Sequence, residues 1–308
     1  MEGVPLIKFR EEVREARDSG GPVVALESAM ITHGLPFPDN LETALAMEQD
    51  VRDAGATPAT ICLLDGEIRA GLSETELARL AETSDALKVP TRGLAYALAT
   101  NRSAGTTVSG TMWIAALAAI EFFGTGGIGG VHYGASESGD VSSDLTELSR
   151  TPVAVVCAGV KSILDIGRTM EHLETSGVPV FGYGTDEFPA FFSGSSGHPA
   201  PFRLDSASQA AETWVLHRQL GLHGGAVFAC PPPVTVDNQA QLEAAIRQAN
   251  REAVETGVRG GDVTPFVLRR VAEITDGASI RVNIALLRNN ARTAAEIAVE
   301  YHKATARS

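Results

Sequence analysis

The sequence predicts an α/β fold: a mixed, largely parallel sheet with helices on both faces and a helical layer added by the C-terminal part of the chain. Three observations carry that expectation. Short apolar runs of strand length alternate with stretches of helical period. The runs are apolar throughout, as strands buried on both faces require. After Pro231-Pro232-Pro233 the strand pattern stops and only helical periodicity remains. In order, strands are expected at Pro22–Leu26, Thr60–Leu64, Ile120–Gly124, Pro152–Ala158, Val178–Tyr183 and Ala226–Cys230. Helices are expected at 40–54, 73–82, 107–119, 162–175 and 206–220, then at 239–255, 265–275 and 283–303. Asp65-Gly66 is a hairpin signal, because both turn positions must take positive φ, and it joins Thr60–Leu64 to a returning run over Glu67–Leu72. The last helices hold too few bulky apolar residues for a core of their own, so residues 1–308 read as one domain.

Composition narrows the function. The chain has 308 residues, 38 acidic against 25 basic and a formal net charge of −13, which disfavours a polynucleotide partner but leaves room for a local phosphate pocket. Cys62, Cys157 and Cys230 are odd in number and each lies in an apolar run, so they read as buried reduced thiols of a cytoplasmic protein. No apolar run is long enough to span a bilayer, and the first residues, with Glu2, Lys8, Glu11 and Glu12, lack an apolar signal core. Basic residues are arginine by default. The lysines are Lys8, Lys88, Lys161 and Lys303, and only lysine can serve as an amine nucleophile.

Lys161 follows the apolar run Val153–Val160, where α/β folds place functional groups. On spacing alone Lys161 reads first as a lysine that caps a helix or pairs with Asp165, and Lys88 as an exposed lysine before a turn. Glu27 closes Val23-Val-Ala-Leu-Glu27, a setting for an acid with a raised pKa or for a carboxylate held by turn amides. Asp140-Val-Ser142-Ser143-Asp144 opens a helix whose first-turn amides favour a phosphate, with carboxylates that suit Mg²⁺ or Mn²⁺ or merely cap the helix. His132, just upstream, could meet a phosphate or a loop carbonyl. Gly124-Thr-Gly126-Gly-Ile-Gly129-Gly130 has the spacing of a dinucleotide fingerprint, but no helix pattern and no acidic partner follow it, so a turn presenting amides is expected instead. The Gly-, Ser- and Pro-rich stretch 192–201 is a long loop that could cover a site.

The order of these segments resembles the pseudouridine-5′-phosphate glycosidase family, also called indigoidine synthase A-like proteins. The matching stretches include Ala25-Leu-Glu-Ser with Ile31-Thr-His-Gly-Leu-Pro, Gly105-Thr-Thr-Val, Gly124–His132, Asp140–Leu145, Arg150–Asp165, Thr185–Ala190, Thr264-Pro-Phe and Asn283-Ile-Ala-Leu with Asn289-Asn-Ala. The resemblance implies a homotrimeric three-layer α/β/α enzyme that uses Mn²⁺ (or Mg²⁺) and acts on the C–C bond between ribose 5-phosphate and uracil. It makes Lys161 the amine that forms an imine with the ring-opened sugar, Glu27 the proton donor and Asp140 the metal ligand. Lys88, Val108, Ser142, Ser143 and Asp144 become substrate contacts, and His132 and Asn283 fall on active-site positions.

Some positions depart from the family pattern. Where Lys-x-x-Arg-Arg-Asp-Leu is usual, this chain has Lys88-Val-Pro-Thr91-Arg92-Gly93-Leu94. Where His-Arg-Gly-Ala-Glu is usual, it has His132-Tyr133-Gly-Ala-Ser136. These changes are similar to the C-glycosynthase branch, which joins ribose 5-phosphate to an aromatic polyketide-type acceptor in antibiotic biosynthesis. The expectation is therefore a C-glycosynthase with an aromatic carbon nucleophile. The alternatives are cleavage of pseudouridine 5′-phosphate in nucleoside salvage and a non-catalytic sugar-phosphate binder.

Overall fold

A computed structural model describes residues 7–236, 238–258 and 260–306. Its strands are β1 (Ile7–Phe9), β2 (Val23–Glu27), β3 (Thr57–Leu64), β4 (Glu67–Ala70), β5 (Leu87–Val89), β6 (Ala104–Thr106), β7 (Phe122–Gly124), β8 (Val131–His132), β9 (Ala154–Cys157), β10 (Leu164–Asp165), β11 (Val180–Tyr183), β12 (Phe202–Leu204) and β13 (Ala226–Ala229). The main sheet runs β1-β4-β3-β2-β7-β9-β13-β11-β12, with β6 also pairing β3 and β5 pairing β6. From β3 through β2, β7, β9, β13 and β11 to β12 every pairing is parallel, whereas β3 pairs antiparallel with β4 and β6. This is the expected α/β architecture with a mixed, largely parallel sheet.

The strands of the centre are buried because both faces are covered, and β2, β9 and β13 are buried at every residue. The helix Ala278–Thr305 packs across β2, β7 and β9 on one face, between the helices Asp39–Asp53 and Ala207–Gln219. Its buried stripe runs through Val282, Leu286, Leu287, Ala291, Ala294 and Ile297, the spacing of one helical face. Asp50 fixes it to the neighbouring helix by accepting from Arg288 (2.7 Å) and Arg292 (3.0 Å). The helix Val108–Leu117 packs on β2, β3 and β7, with Ser143–Arg150 against it. The helical C-terminal part therefore divides. Gln239–Glu255 and Val263–Ile274 pair with each other, while the last helix is a full member of one of the layers flanking the sheet.

The hairpin at Asp65-Gly66 forms as expected, with φ of 51° and 75°. The helix expected from Ser162 begins instead at Ile166. Leu164 and Asp165 first pair antiparallel with β8, and Asp165 then caps the helix by accepting from the Arg168 amide. The short strands β1, β5, β6, β8, β10 and β12 carry two or three residues each, too few to leave a periodic signature.

Candidate active site

The chain passes from β2 to β3 on one side and from β7 to β9 on the other, so the strand order reverses between β2 and β7. At such a switch point the loops beyond the carboxyl ends diverge and leave a crevice. Glu27 ends β2, Thr125 follows β7, and Lys161 lies four residues past β9, all at that end of the sheet. A cavity opens there, lined by Glu27, Lys88 and Lys161, by Asn283 of the last helix, and by His33 and Phe191.

Glu27 is buried and accepts a hydrogen bond from the Thr125 hydroxyl. Burial pushes its carboxyl above the ordinary carboxylate range. Lys161 and the Thr125 hydroxyl pull the other way without reversing the shift, and Asp144 adds to it. This is the buried carboxyl with a raised pKa that the sequence allowed. Lys161 is neither a helix cap nor the partner of Asp165, because Asp165 caps its own helix and pairs with Arg168 at 3.5 Å. The backbone that delivers Lys161 turns at Gly159, whose φ is +81°. A Cβ there would lie 2.0 Å from the Pro189 carbonyl oxygen, so only glycine lets the chain pass. Lys88 is half-buried and donates to the Gly261 carbonyl at 2.7 Å.

The Gly124–Gly130 segment leads into β8 with no helix, as expected of a turn that is not a dinucleotide fingerprint. Its amides do serve a carboxylate, but an internal one. Asp144 accepts from the Gly129 amide with one oxygen and from the Ser109 amide with the other, both at 2.9 Å. Ser142 caps the Ser143–Arg150 helix through the Asp144 amide, and a Cβ on Gly129 would stand 2.2 Å from its hydroxyl oxygen. Ser143 and Ser109 hydroxyls lie 3.2 Å apart, and Val108, fully buried, starts its own helix beside them. Two helix N-termini thus meet here, and the buried Asp144 carboxylate takes the Ser109 amide at their junction.

Asp140 is half-buried and its field acts on His132, whose amide donates to the Asp140 carbonyl at 3.1 Å. Burial lowers the His132 pKa, Asp140 opposes this, and Lys161 and Lys88 reinforce it. The two aspartates are therefore separated in role: Asp144 ties backbone together and Asp140 stays beside His132. Among the described residues no three His, Cys, Asp or Glu side chains gather into a metal cage. Asp140 is the carboxylate here whose oxygens are not already engaged by the two buried amides that hold Asp144.

Lys161, Glu27, Lys88 and Asn283 share the cavity wall, whereas His132, Asp140, Ser142, Ser143, Asp144 and Val108 are not among the residues that line it. Thr125, Phe191 and Ser109 were not singled out from the sequence. Thr125 lay inside a loop read only for its glycines, and Ser109 acts through its backbone, which no side-chain pattern reveals. Phe191 belongs to the segment around the 192–201 loop, where Phe188, Phe191 and Phe192 are buried and the Phe191 amide donates to the Ala158 carbonyl. Tyr133, by contrast, is 64% exposed and is not part of the cavity wall. Thr91 donates to Glu147 at 2.6 Å, an internal contact.

Fold and site together define an α/β protein that sets a lysine amine against a buried carboxylic acid at a switch-point crevice, next to paired helix N-termini. Residues 12–300 match the indigoidine synthase A-like protein family, and the chain belongs to it. The pseudouridine-5′-phosphate glycosidase 2 of Rhizobium johnstonii is 51% identical over 96% of both chains. The pseudouridine-5′-phosphate glycosidase of a Nocardioides species is 50% identical, over 96% of this chain and 97% of that one. The crystal structure of the prealnumycin C-glycosynthase AlnA in complex with ribulose 5-phosphate superposes with a TM-score of 0.90 at 36% identity, covering 99% of this chain and 100% of that one. An indigoidine synthase A-like protein from Thermotoga maritima gives a TM-score of 0.87, also at 36% identity, over 96% of this chain and 97% of its own. Among the described residues no helix is long and apolar enough to cross a membrane.

Proposed function

We propose that this protein cleaves pseudouridine 5′-phosphate to uracil and ribose 5-phosphate, with the reverse C–C bond formation open to the same groups. The observation that carries this reading is the shared cavity of Glu27 and Lys161. A carbon-linked base has no oxygen leaving group, so the paired carboxylates of ordinary glycosidases do not suffice. In this reading the Lys161 nitrogen displaces the ring oxygen at C1′, and the amine proton ends on the freed 4′-hydroxyl. Glu27, whose pKa burial raises, delivers a proton to C5 of the uracil ring. The nitrogen lone pair then forms the C1′ imine as the C1′–C5 bond breaks, and the bond's electrons restore the uracil double bond. Water hydrolyses the imine to ribose 5-phosphate and the free lysine.

The phosphate is assigned to the helix N-termini at Val108 and Ser142–Asp144, with Lys88 supplying positive charge. His132 and Asn283 complete the contacts. Asp140 would hold Mn²⁺ or Mg²⁺, the remaining positions being water and substrate oxygens, as hard divalent cations accept. The cation would supply positive charge against developing oxyanions. A homotrimer and a cytoplasmic location belong to the same reading.

The relatives support cleavage ahead of an aromatic acceptor, since the named glycosidases are about half identical and the C-glycosynthase is 36% identical. Tyr133, on which the aromatic expectation leaned, is at the surface. The AlnA likeness still favours synthesis as the second reading. The test is incubation with pseudouridine 5′-phosphate and Mn²⁺, following uracil by chromatography. Borohydride should trap ribose 5-phosphate on Lys161, and Lys161→Ala should abolish both results. An enzyme that releases no uracil yet couples ribose 5-phosphate to a polycyclic aromatic would be the synthase.

A further inference from the structure

Asn289-Asn290-Ala291 is one of the stretches that carry the family resemblance, and the cleavage scheme gives it no part. Asn290 is fully buried in the stripe of the helix Ala278–Thr305, among Leu286, Leu287, Ala291 and Ala294. Its Nδ2 donates to the Thr125 carbonyl at 2.8 Å and lies 3.3 Å from the Gly126 carbonyl. Both partners can only accept, so the amide has one orientation. Oδ1 is then left buried with no partner among the described residues. An apolar side chain at this place in the stripe would avoid that unpaired oxygen, which costs stability. The reason for a polar residue must lie in what its nitrogen holds.

Leu26 pairs with Gly124 where β2 and β7 run side by side, so Glu27 and Thr125 are the next neighbours past the paired strands. The Thr125 amide donates to the Val156 carbonyl of β9 at 3.0 Å, and its carbonyl takes Asn290. The peptide groups on both sides of its Cα are thus anchored. The helix can come this close because residue 124 is glycine: a Cβ there would stand 3.0 Å from Ala291 Cα. From that fixed main chain the buried Thr125 hydroxyl reaches Oε1 of Glu27. The contact orients the carboxyl group whichever of the two supplies the shared proton.

We propose that Asn290 is a positioning residue for the proton donor, acting through Thr125 to set the direction in which Glu27 presents its carboxyl group. This rests on the cleavage reading above. Proton delivery to C5 is sensitive to that direction, because transfer weakens steeply when the donor is misplaced. Imine formation at Lys161 is not. Asn290 therefore serves the release of the base and leaves capture of the sugar untouched. The charged groups that act on Glu27 are Lys161 and Lys88, which favour its ionised form, and Asp144, which opposes it; His33 lines the same cavity. The Thr125 hydroxyl also favours the ionised form. Thr125→Val removes that pull, so the fall in kcat at high pH, where Glu27 loses its proton, should move upward. Asn290→Leu should move it the same way by less.

The test is a double-mutant cycle on pseudouridine 5′-phosphate with Asn290→Leu, Thr125→Val and the two combined. Thr125→Ser is the conservative rescue, and borohydride trapping of ribose 5-phosphate reports an intact sugar site. Asn290→Leu is expected to lose roughly 10- to 100-fold in kcat, with KM within about two-fold of wild type and trapping unchanged. Thr125→Val should lose at least as much, and the double variant no more than Thr125→Val alone. Thr125→Ser should recover most of the rate. Losses that multiply in the double variant, a high-pH limb that stays in place in Thr125→Val, or a full rate in Asn290→Leu would each overturn the role. So would a Thr125→Ser as slow as Thr125→Val, or an Asn290→Leu that no longer traps the sugar. If wild type traps ribose 5-phosphate but releases no uracil, the cleavage reading fails first and this role falls with it.

Discussion

Asp144→Ala should be among the most destabilising single substitutions at the site, and the cost can be worked from its two bonds. The carboxylate accepts from the Ser109 and Gly129 amides at 2.9 Å each, with the residue 4% exposed. Truncation leaves two buried N–H groups without a partner, each costing about 1–3 kcal/mol. Taking the middle of that range gives a loss of roughly 4 kcal/mol, a large share of the stability of an ordinary domain. Asp144→Asn keeps one acceptor oxygen but sets an NH₂ against the other amide, so about half the loss is expected. Asp140→Ala, at a half-buried carboxylate outside this network, should cost about 0.5 kcal/mol. Urea unfolding followed by tryptophan fluorescence reads all three, with the slope compared to confirm that the unfolded state is unchanged. An Asp144→Ala midpoint that implies a loss under about 1 kcal/mol would refute the claim that this carboxylate joins the glycine-rich loop to the Val108 helix.

Two further outcomes follow from buried titratable groups. The raised pKa of Glu27 means the folded protein holds a proton that the unfolded chain releases in the ordinary carboxylate range. Between that range and the raised value, stability therefore falls as pH rises. Glu27→Gln removes this contribution, so its melting temperature relative to wild type should be higher at pH 8 than at pH 5, and a constant difference would contradict the burial argument. Cys62, Cys157 and Cys230 are buried, and burial pushes all three thiols up, Cys157 to about 12. A thiol-exchange reagent should find no fast-reacting cysteine in the native protein and three after denaturation.

The sheet's central strands were legible because each is apolar throughout and long enough to be seen, as Val153–Ala158 illustrates. Glu27 and Lys161 were legible by position, each directly beyond such a run. What stayed hidden was partnership. Whether Lys161 paired with Asp165 depended on where one helix began, and β8 decided that by pairing with Leu164 and Asp165. Asp140 and Asp144 are four apart and looked interchangeable. The Ser109 and Gly129 amides, 35 and 15 positions away, turn Asp144 into an internal tie.

The long helix Ala278–Thr305 ties the site to the far end of the described chain. It carries Asn283 to the cavity, and Asn290 donates to the Thr125 carbonyl at 2.8 Å, the residue whose hydroxyl holds Glu27. The acid at residue 27 is thus enclosed by a segment synthesised more than 250 positions later. The burial that raises the Glu27 pKa is completed by contacts far along the chain. The helix that fills one layer against the sheet is thus also the one that holds the loop beneath the acid in place.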